Sequence, residues 1–329
     1  MTREVRMLRV SMADVAERAG VSAQTVSRVA NDSPRVDPET RARVERAMSD
    51  LGYRMHRAAR ALRTGQSRTI GLIVSTLATV GNSRMLQSIA EVAAAGDYAL
   101  TVATARGERG MLEAFARLHD EGVGGAIVLN EATPLTREAA VPEGMRLVAV
   151  DSAPDDRFAL VQTDHAAGAA AATRHLLDLG HPTVHHLAGP ADSFAAVERE
   201  RGWREVLSSA GVTPPPVARG DWTSRSGHAA ASGLVDSTAV FVANDQMALG
   251  ALRAFADAGR RVPDDVAVVG FDDIVDAAEF RPPLTTVRQD FDELGARAVA
   301  TLIALIEGRE AAPLVSLPPA LVVRSSSAV

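Results

Sequence analysis

From residue 69 onward, short apolar runs with the pattern of β-strands alternate with helical stretches, and this alternation restricts the fold more than any other feature. A first group of strand-like runs occupies 69–74, 98–102, 125–129 and 146–150. A second group, which begins after Asp164, occupies 183–187, 239–242 and 266–270. Strands that alternate with helices form doubly wound parallel sheets. Two groups in series therefore predict two α/β lobes with a cleft between them, the place where open sheets of this kind bind ligands.

Charge is distributed unevenly: the first 68 residues contain 14 arginines and eight acidic residues, although the net charge of the whole chain is −6. A basic head on an acidic body predicts that the head binds a polyanion. The chain contains no cysteine, which excludes disulfides and thiolate metal sites. No apolar run approaches the ~18 residues of a spanning helix, and residues 1–10 lack the apolar segment of a secretory signal. We therefore expect a cytoplasmic protein without a membrane partner.

The head contains the pattern of two short helices joined by a tight turn. Ser11 and Asp14 have the spacing of a capping box, in which a hydroxyl and a carboxylate satisfy free N–H groups at the start of a helix. Gly20 ends that helix, because glycine readily adopts the left-handed conformation of a C-cap. Ser22 can then cap a second helix at 23–29. Two short helices with such a turn are typical of a helix-turn-helix DNA-binding unit.

The second helix carries the side chains that a recognition helix needs. Gln24 can pair bidentately with adenine and Arg28 with guanine, while the small Ala23 allows close approach to the major groove. Side chains suited to phosphate contacts are Ser22, Thr25, Ser27 and Asn31. A third helix at 38–51 begins with an aspartate N-cap followed by proline, and it completes a predicted headpiece at 1–52.

These stretches resemble a known family of regulators. A close resemblance to the headpiece of the lactose-repressor (LacI/GalR) family is carried by 14–22, 24–29, Asn31, 40–41, Val44 and 51–53. A resemblance to the core, closest to the lactose-repressor branch of that family, is carried by 220–222, 242–251, 271–273, 282–287 and 289–291. The resemblance extends from about residue 10 to 324. It implies a core of two doubly wound, periplasmic-binding-protein-like α/β subdomains behind a small all-α helix-turn-helix domain.

The function implied by the resemblance is that of a sequence-specific transcriptional repressor of sugar-utilisation genes, not that of an enzyme. A sugar effector in the cleft, a galactoside or a related sugar, would release the protein from a palindromic operator. A homodimer is expected, because no leucine-heptad pattern like that of the family's tetramer-forming tail follows Pro318. The implied division of the core is a first lobe of 68–163 with 288–314 and a second lobe of 164–287 with 315–329.

A basic, alanine-rich segment at 53–67 stands where the family has a hinge that orders on operator DNA. The resemblance implies that Leu62 is an apolar wedge in the minor groove and that Ala59 permits close approach. Met55 and His56 replace the usual Pro-Asn, so His56 is expected to make its contact differently. Together with the headpiece, the predicted DNA-binding residues are Met12, Ser22, Ala23, Gln24, Thr25, Ser27, Arg28, Asn31, Tyr53, His56, Ala59 and Leu62.

Polar side chains stand at the ends of several predicted core strands, among them Asp151, Asn244 and Asp272. Carboxylates and amides pair with vicinal sugar hydroxyls, and an aromatic face covers the apolar side of a sugar ring. The resemblance implies the effector-binding residues Ser75, Asp151, Arg199, Trp222, Asn244, Asp272, Gln289 and Phe291. Thr163 and Ala195 depart from the family pattern, which leaves the identity of the sugar open.

Three other interpretations compete with this one. An enzyme is disfavoured because no Gly-x-Ser-x-Gly, Walker, Gly-x-Gly-x-x-Gly or His-Glu-x-x-His motif occurs, and no cofactor or metal is expected. The adjacent His185 and His186 lie in an apolar run without a third ligand nearby, which indicates packing. A stand-alone sugar-binding receptor would lack the basic head. A regulator of the same family with a purine or sugar-phosphate co-repressor is the remaining alternative, although Trp222 with Asp272 favours a neutral sugar.

Overall fold

The computed structural model describes residues 10–30, 33–53, 67–136 and 139–328. The chain divides into two compact units, Met1–Ser67 and Arg68–Val329, which we call the head and the core. Among the described residues, no helix is both long enough and apolar enough to cross a membrane. Four predicted DNA-contact residues lie outside the described residues, so their roles stay predictions: Asn31, His56, Ala59 and Leu62.

In its described residues, the head contains three helices, α1 (Met12–Ala19), α2 (Ala23–Ala30) and α3 (Pro38–Leu51). The hydroxyl of Ser11 accepts a hydrogen bond from the backbone N–H of Asp14 at 3.3 Å, and the Asp14 carboxylate accepts one from the N–H of Ser11 at 2.7 Å. This reciprocal pair confirms the predicted capping box. Gly20 ends α1 with φ 64°, in the left-handed region that favours glycine.

The core of the head takes one fully buried valine from each helix. Val15, Val26 and Val44 are each 0% exposed. Complete burial of a valine contributes roughly 1.5–3 kcal/mol, so these three contacts hold the turn between α1 and α2 in place. The hydroxyl of Ser22 accepts from the backbone N–H of Thr25 at 3.1 Å, which confirms the predicted cap at the start of α2.

The first lobe of the core contains a six-stranded parallel sheet, in the order β11-β5-β4-β3-β1-β2. Its strands are β1 (Thr69–Val74), β2 (Ala99–Thr104), β3 (Gly125–Leu129), β4 (Arg146–Val150), β5 (Ala159–Thr163) and β11 (Leu314–Leu317). Helices α4 (Val80–Ala95), α5 (Gly107–Asp120) and α10 (Phe291–Ile306) pack against it. A short 3₁₀ helix, Asn130–Thr136, follows β3.

The second lobe contains another six-stranded sheet, in the order β12-β10-β9-β8-β6-β7. Its strands are β6 (His185–Ala188), β7 (Ala218–Arg219), β8 (Ala239–Val242), β9 (Ala267–Asp272), β10 (Thr285–Arg288) and β12 (Ala320–Val322), and β12 runs antiparallel to β10. Its helices are α6 (His165–Asp178), α7 (Phe194–Ser209), α8 (Ser224–Ala231) and α9 (Asp245–Asp257). Two short 3₁₀ helices occupy Ser232–Leu234 and Val275–Glu279. The predicted fold class is therefore confirmed.

The chain passes between the lobes three times, after β5, after β10 and after β11. The last passage corrects the predicted division, which assigned 315–329 to the second lobe. Val315 pairs with Val161 and Leu317 with Thr163 in the first sheet, so residues 315–317 belong to the first lobe. Pairing stops there because Pro318 and Pro319 have no N–H to donate to a ladder.

Candidate ligand-binding cleft and recognition helix

A cleft in the core is lined by residues of both lobes and contains about 440 Å³ of empty space, part of it open to solvent. Its walls come from the segments that follow strands β3, β4, β7, β8, β9 and β10, and from the starts of α4 and α7. This is the position that the topology of open parallel sheets favours for ligands.

Most of the predicted effector residues lie together in this cleft. The residues that line it are Asp151, Arg199, Trp222, Asn244, Asp272, Gln289 and Phe291. Ser75, directly after β1, is not among the lining residues. Strand ends and family resemblance thus selected side chains that come from distant parts of the sequence and meet in one place.

Arg199 is a buried cation that contacts both aromatic and acidic groups of the cleft. Its guanidinium carbon lies 3.8 Å from the centroid of the Phe271 ring, and its Nη2 lies 3.6 Å from Oδ1 of Asp272. Its Nε donates to Nδ1 of His165 at 3.4 Å, and its Nη1 donates to the carbonyl oxygen of Ala243. These contacts fix the guanidinium in one orientation, because they come from several sides.

Two carboxylates of the cleft are held by backbone geometry and by neighbouring side chains. Asp272 has φ 117°, which is unusual for a residue with a side chain, and its Oδ1 accepts from Nε2 of Gln289 at 2.7 Å. Asp151 has φ 50°, and its Oδ1 accepts from the backbone N–H of Thr163 at 3.0 Å. The Nε2 of His165 lies 3.0 Å from the same oxygen. Such strain is found most often at ligand sites, where it fixes the direction of a side chain.

The positive charge of Arg199 interacts with three buried carboxyl groups, those of Asp151, Asp245 and Asp272. Burial raises the pKa of Asp272, although the positive charge of Arg199 opposes this. Burial and then the negative charge of Asp272 raise the pKa of Asp245 well above its usual range. Burial lowers the pKa of Arg199, while Asp272, Asp151 and Asp245 act in the opposite direction. The charge state of the cleft therefore depends on one guanidinium.

The indole of Trp222 forms one wall of the cleft and is 8% exposed. A Cβ at Gly189 would overlap the indole, so only glycine leaves room for this ring. The Nδ2 of Asn244 donates to the carbonyl oxygen of Trp222 at 3.2 Å, and its Oδ1 accepts from the N–H of Met247 at 2.9 Å. Asn244 therefore caps α9 and holds the tryptophan loop in addition to lining the cleft.

Several polar atoms of the cleft are buried without a hydrogen-bond partner in the part of the chain that the structure describes. They are Oδ1 of Asn130, Oε2 of Glu131, Nε1 of Trp222 and Oε1 of Gln289. Buried polar atoms in folded proteins are almost always hydrogen-bonded. These four atoms therefore indicate that a polar ligand or water completes the cleft.

Sequence reasoning missed part of the lining: Thr79, Gly81, Met85, Asn130, Glu131 and Ala195, the last of which was noted only as a departure from the family. Asn130 and Glu131 directly follow β3 and could have been found by the strand-end rule that selected Asp151. Gly81 carries no polar signal, yet a Cβ there would lie 3.1 Å from the Phe291 ring, so the close approach to α4 favours glycine.

Asp273, next to Asp272, is an anchor for two arginines of the second lobe. Its carboxylate is 6% exposed and accepts from Nε of Arg288 at 2.6 Å and from Nη2 of Arg324 at 2.7 Å. Arg288 ends β10 and Arg324 follows β12. Because Asp273 has φ 53°, the two arginines hold a strained backbone that also directs Asp272 into the cleft.

We expect Asp273→Asn to lower the free energy of unfolding of the core by about 2–3 kcal/mol, since both charged hydrogen bonds weaken. Asparagine tolerates a positive φ, so the substitution removes the charge without adding backbone strain. Urea denaturation of the purified chain measures the change. Asp276→Asn, at an exposed aspartate three residues on, is the control and should change stability little. Equal stability of the two variants would contradict the anchoring role.

In the head, α2 presents the predicted recognition side chains outward. Gln24 and Arg28 are exposed, whereas Val26 and Val29 are buried against the core of the head. Ala23 and Ser22 are exposed as well, and Thr25 and Ser27 are half-buried. This face could therefore enter a major groove without unpacking the head.

Met12 and Tyr53, also predicted to contact DNA, are half-buried and pack against the core of the head. Each therefore has a packing role, and a DNA contact by the remaining surface stays a prediction.

A metal site has no support in the structure: within the described ranges, no group of three or more histidine or acidic side chains could hold an ion. His186 is fully buried, and its ring stacks on Phe241 with centroids 4.7 Å apart. Burial lowers the pKa of His186 to about 4, so the ring is neutral and packed. This agrees with the packing predicted for His186, whereas His185 is half-buried.

Comparison with known proteins gives consistent matches for both units. Residues 11–55 match the family described as bacterial regulatory proteins, lacI family, and 173–327 match a periplasmic binding protein-like domain. The lactose operon repressor of Escherichia coli K12 is 36% identical over 97% of this chain and 91% of its own length. The transcriptional regulator CelR of Thermobifida fusca is 38% identical over 98% of this chain and 99% of its own.

Solved structures agree with these sequence matches. The lac repressor dimer bound to operator and an anti-inducer superposes with a TM-score of 0.86 at 35% identity, over 97% of this chain and 99% of that one. The complex of the regulator CelR with cellobiose gives a TM-score of 0.72 at 33% identity, over 97% of this chain and 100% of that one. Both lobes and the head are therefore shared with these proteins.

Proposed function

Because this chain belongs to the lacI family of bacterial regulatory proteins, we propose that it is a transcriptional repressor whose head binds an operator and whose core binds a sugar. The sugar is a galactoside or a related sugar, and its binding in the cleft releases the DNA. The protein acts as a homodimer on a palindromic operator, since two-fold symmetric readers match two-fold symmetric sites. Its place of action is the nucleoid, in the cytoplasm.

The single observation that carries the proposal is the set of four buried cleft atoms without partners, in a chain that also presents a recognition helix. Three of those atoms are acceptors, on Asn130, Glu131 and Gln289, and the fourth is the indole N–H of Trp222. Sugar hydroxyls can satisfy both kinds of group, and the Trp222 face suits the apolar side of a pyranose ring. The names of the relatives, a lactose repressor and a regulator crystallised with cellobiose, favour the same class of ligand.

Release of DNA requires that the sugar bind one arrangement of the lobes more tightly than another. The cleft supports such a preference because its walls belong to different lobes: Asn130 and Asp151 to the first, Trp222 and Asp272 to the second. A sugar that contacts both walls favours the arrangement in which they are close. Couplings of this kind amount to roughly 1–3 kcal/mol.

We expect Asp272→Asn to retain operator binding and to lose release by sugar. The substitution removes the charge that accepts from Gln289 and lies beside Arg199, so sugar affinity falls about 10- to 100-fold. Fluorescence anisotropy of a labelled operator, titrated with sugar, measures release, and calorimetry measures sugar affinity.

The matched control is Asp236→Asn, at an exposed aspartate of the second lobe, which should respond to sugar as the unaltered chain does. Normal release from the Asp272→Asn variant would contradict the assignment of this cleft as the effector site.

A further inference from the structure

The first-lobe wall of the cleft contains two polar residues that were not among the predicted effector residues, Asn130 and Glu131. The amide Nδ2 of Asn130 donates to Oδ1 of Asn82, and Nδ2 of Asn82 donates to the carbonyl oxygen of Thr76 at 3.0 Å. Asn82 is 1% exposed on α4, so this chain of amides is fixed from behind. It leaves Oδ1 of Asn130 and the adjacent Glu131 at the cleft.

The unpartnered atoms on both sides of the cleft are mainly acceptors. Glu131 contributes Oε2 and Asn130 contributes Oδ1, while Gln289 contributes Oε1 because its Nε2 is already bonded to Asp272. Gln289 is 7% exposed, so its free oxygen cannot be satisfied by bulk water. A ligand that completes the site must therefore supply hydrogen-bond donors at several positions.

The carboxyl group of Glu131 offers such a donor one buried acceptor, Oε2. Burial raises the pKa of Glu131, whereas hydrogen bonds to its carboxyl group from its own backbone and from the Asn82 side chain lower it. The charge of Asp151 raises this pKa and the charge of Arg199 lowers it. Arg199 is committed to His165, Ala243 and Asp272 and does not bond to Glu131. The Oε2 atom of this carboxyl group is buried without a partner of its own, so a ligand donor placed there forms a strong hydrogen bond.

We propose that Glu131 is a specificity-determining residue that accepts a hydrogen bond from a donor group of the effector, a hydroxyl or an ammonium of a sugar. With Asn130 and Gln289, it makes the cleft select donor-rich sugars and reject anionic ones such as sugar phosphates. The inference rests on the proposed function, because it assumes that a sugar binds in this cleft. To that function it adds the class of sugar that binds and the first-lobe residue that selects this class.

Calorimetry on the full chain tests the inference, with lactose and cellobiose as neutral probes, glucosamine and galactosamine as ammonium probes, and glucose 6-phosphate as the anionic probe. Glu131→Leu removes the acceptor and should weaken the best-binding probe roughly 10- to 100-fold. Glu131→Gln keeps an acceptor but removes the charge. It should weaken a hydroxyl donor less than tenfold and an ammonium donor by much more, which distinguishes the two sources.

Two further observations make the outcomes decisive. Removal of the charge in Glu131→Gln should improve the affinity for glucose 6-phosphate relative to that for lactose, without lowering thermal stability. Glu108→Gln, at an exposed glutamate of the same lobe, should change neither quantity. Equal sugar affinity of Glu131→Leu and the unaltered chain would overturn the role of Glu131 and leave the proposed function standing. Absence of binding of every sugar probe to the unaltered chain would overturn both.

Discussion

Replacement of Arg199 by methionine is expected to lower the free energy of unfolding of the core by about 3–5 kcal/mol at neutral pH, the cost of leaving buried charges without their partner. Arg199 is 4% exposed and lies among Asp151, Asp245 and Asp272, whose charges all act on it. Methionine fills similar space but supplies no positive charge. The carboxyl groups must then be protonated or stay unpaired.

The pH dependence of this loss has a defined sign. The pKa values of Asp272 and Asp245 are already raised in the folded protein. The folded protein therefore loses stability as the pH rises from the pKa values of the unfolded chain to these raised values. Loss of Arg199 raises both further. The difference in stability between the variant and the unaltered chain should therefore be largest at neutral pH. It should shrink as the pH is lowered and the carboxylates become protonated in the folded and unfolded states alike.

Urea denaturation at a series of pH values measures this effect, and the same helix offers a matched control. Arg201 has a side chain 49% exposed that pairs with Glu198 and Glu205, so Arg201→Met should cost less than about 1 kcal/mol, with little pH dependence. A loss for Arg199→Met that is small, or equal at every pH, would show that the guanidinium does not neutralise the cleft.

The second large effect is expected in the head. Arg28→Ala should reduce the affinity for the operator by about 1–3 kcal/mol, with almost no change in affinity for unrelated duplexes, because a bidentate contact to a guanine carries sequence information. Arg28 is exposed on α2 beside the exposed Gln24, while Val26 on the opposite face is buried, so alanine removes the contact without unpacking the head.

Anisotropy titrations of the operator and of a scrambled duplex, at fixed salt, measure the ratio of specific to nonspecific affinity. Arg46→Ala provides the control, since Arg46 is an exposed arginine on α3 and its loss removes the same charge from the head. It should leave the ratio nearly unchanged. If Arg28→Ala leaves the ratio as it is in the Arg46→Ala variant, α2 is not the helix that reads bases.

Local signals sufficed for the described helices of the head. The hydroxyl–carboxylate spacing of Ser11 and Asp14, and the glycine that ends α1, encode helix ends through contacts within a few residues. The strand-like apolar runs likewise predicted that strands and helices alternate in the core, because a buried parallel strand is apolar over its whole length. The start of α4 at Val80 has a weaker signal, because its first turn lines the cleft at Gly81 and carries no apolar stripe.

Strand ends point only to polar residues that directly follow a strand, such as Asp151, whereas Arg199 and Phe291 of the cleft were predicted from the resemblance. Asn130 and Glu131 satisfy that condition, but their importance depends on the Asn82 contact 48 residues away, which no local pattern encodes. The boundary near residue 315 was missed for a related reason. Whether Val315 joins one sheet or the other depends on its pairing with Val161 and not on its own residue type.

The central claim is that a sugar in the core controls operator binding by the head. The most direct measurement is a titration of palindromic duplexes from the DNA beside its own gene with the full chain, repeated with each sugar that binds by calorimetry. We predict tight, specific binding to at least one palindrome, and a fall in that affinity when the sugar fills the cleft. Binding that no sugar alters, or no specific binding to any palindrome, would contradict the account.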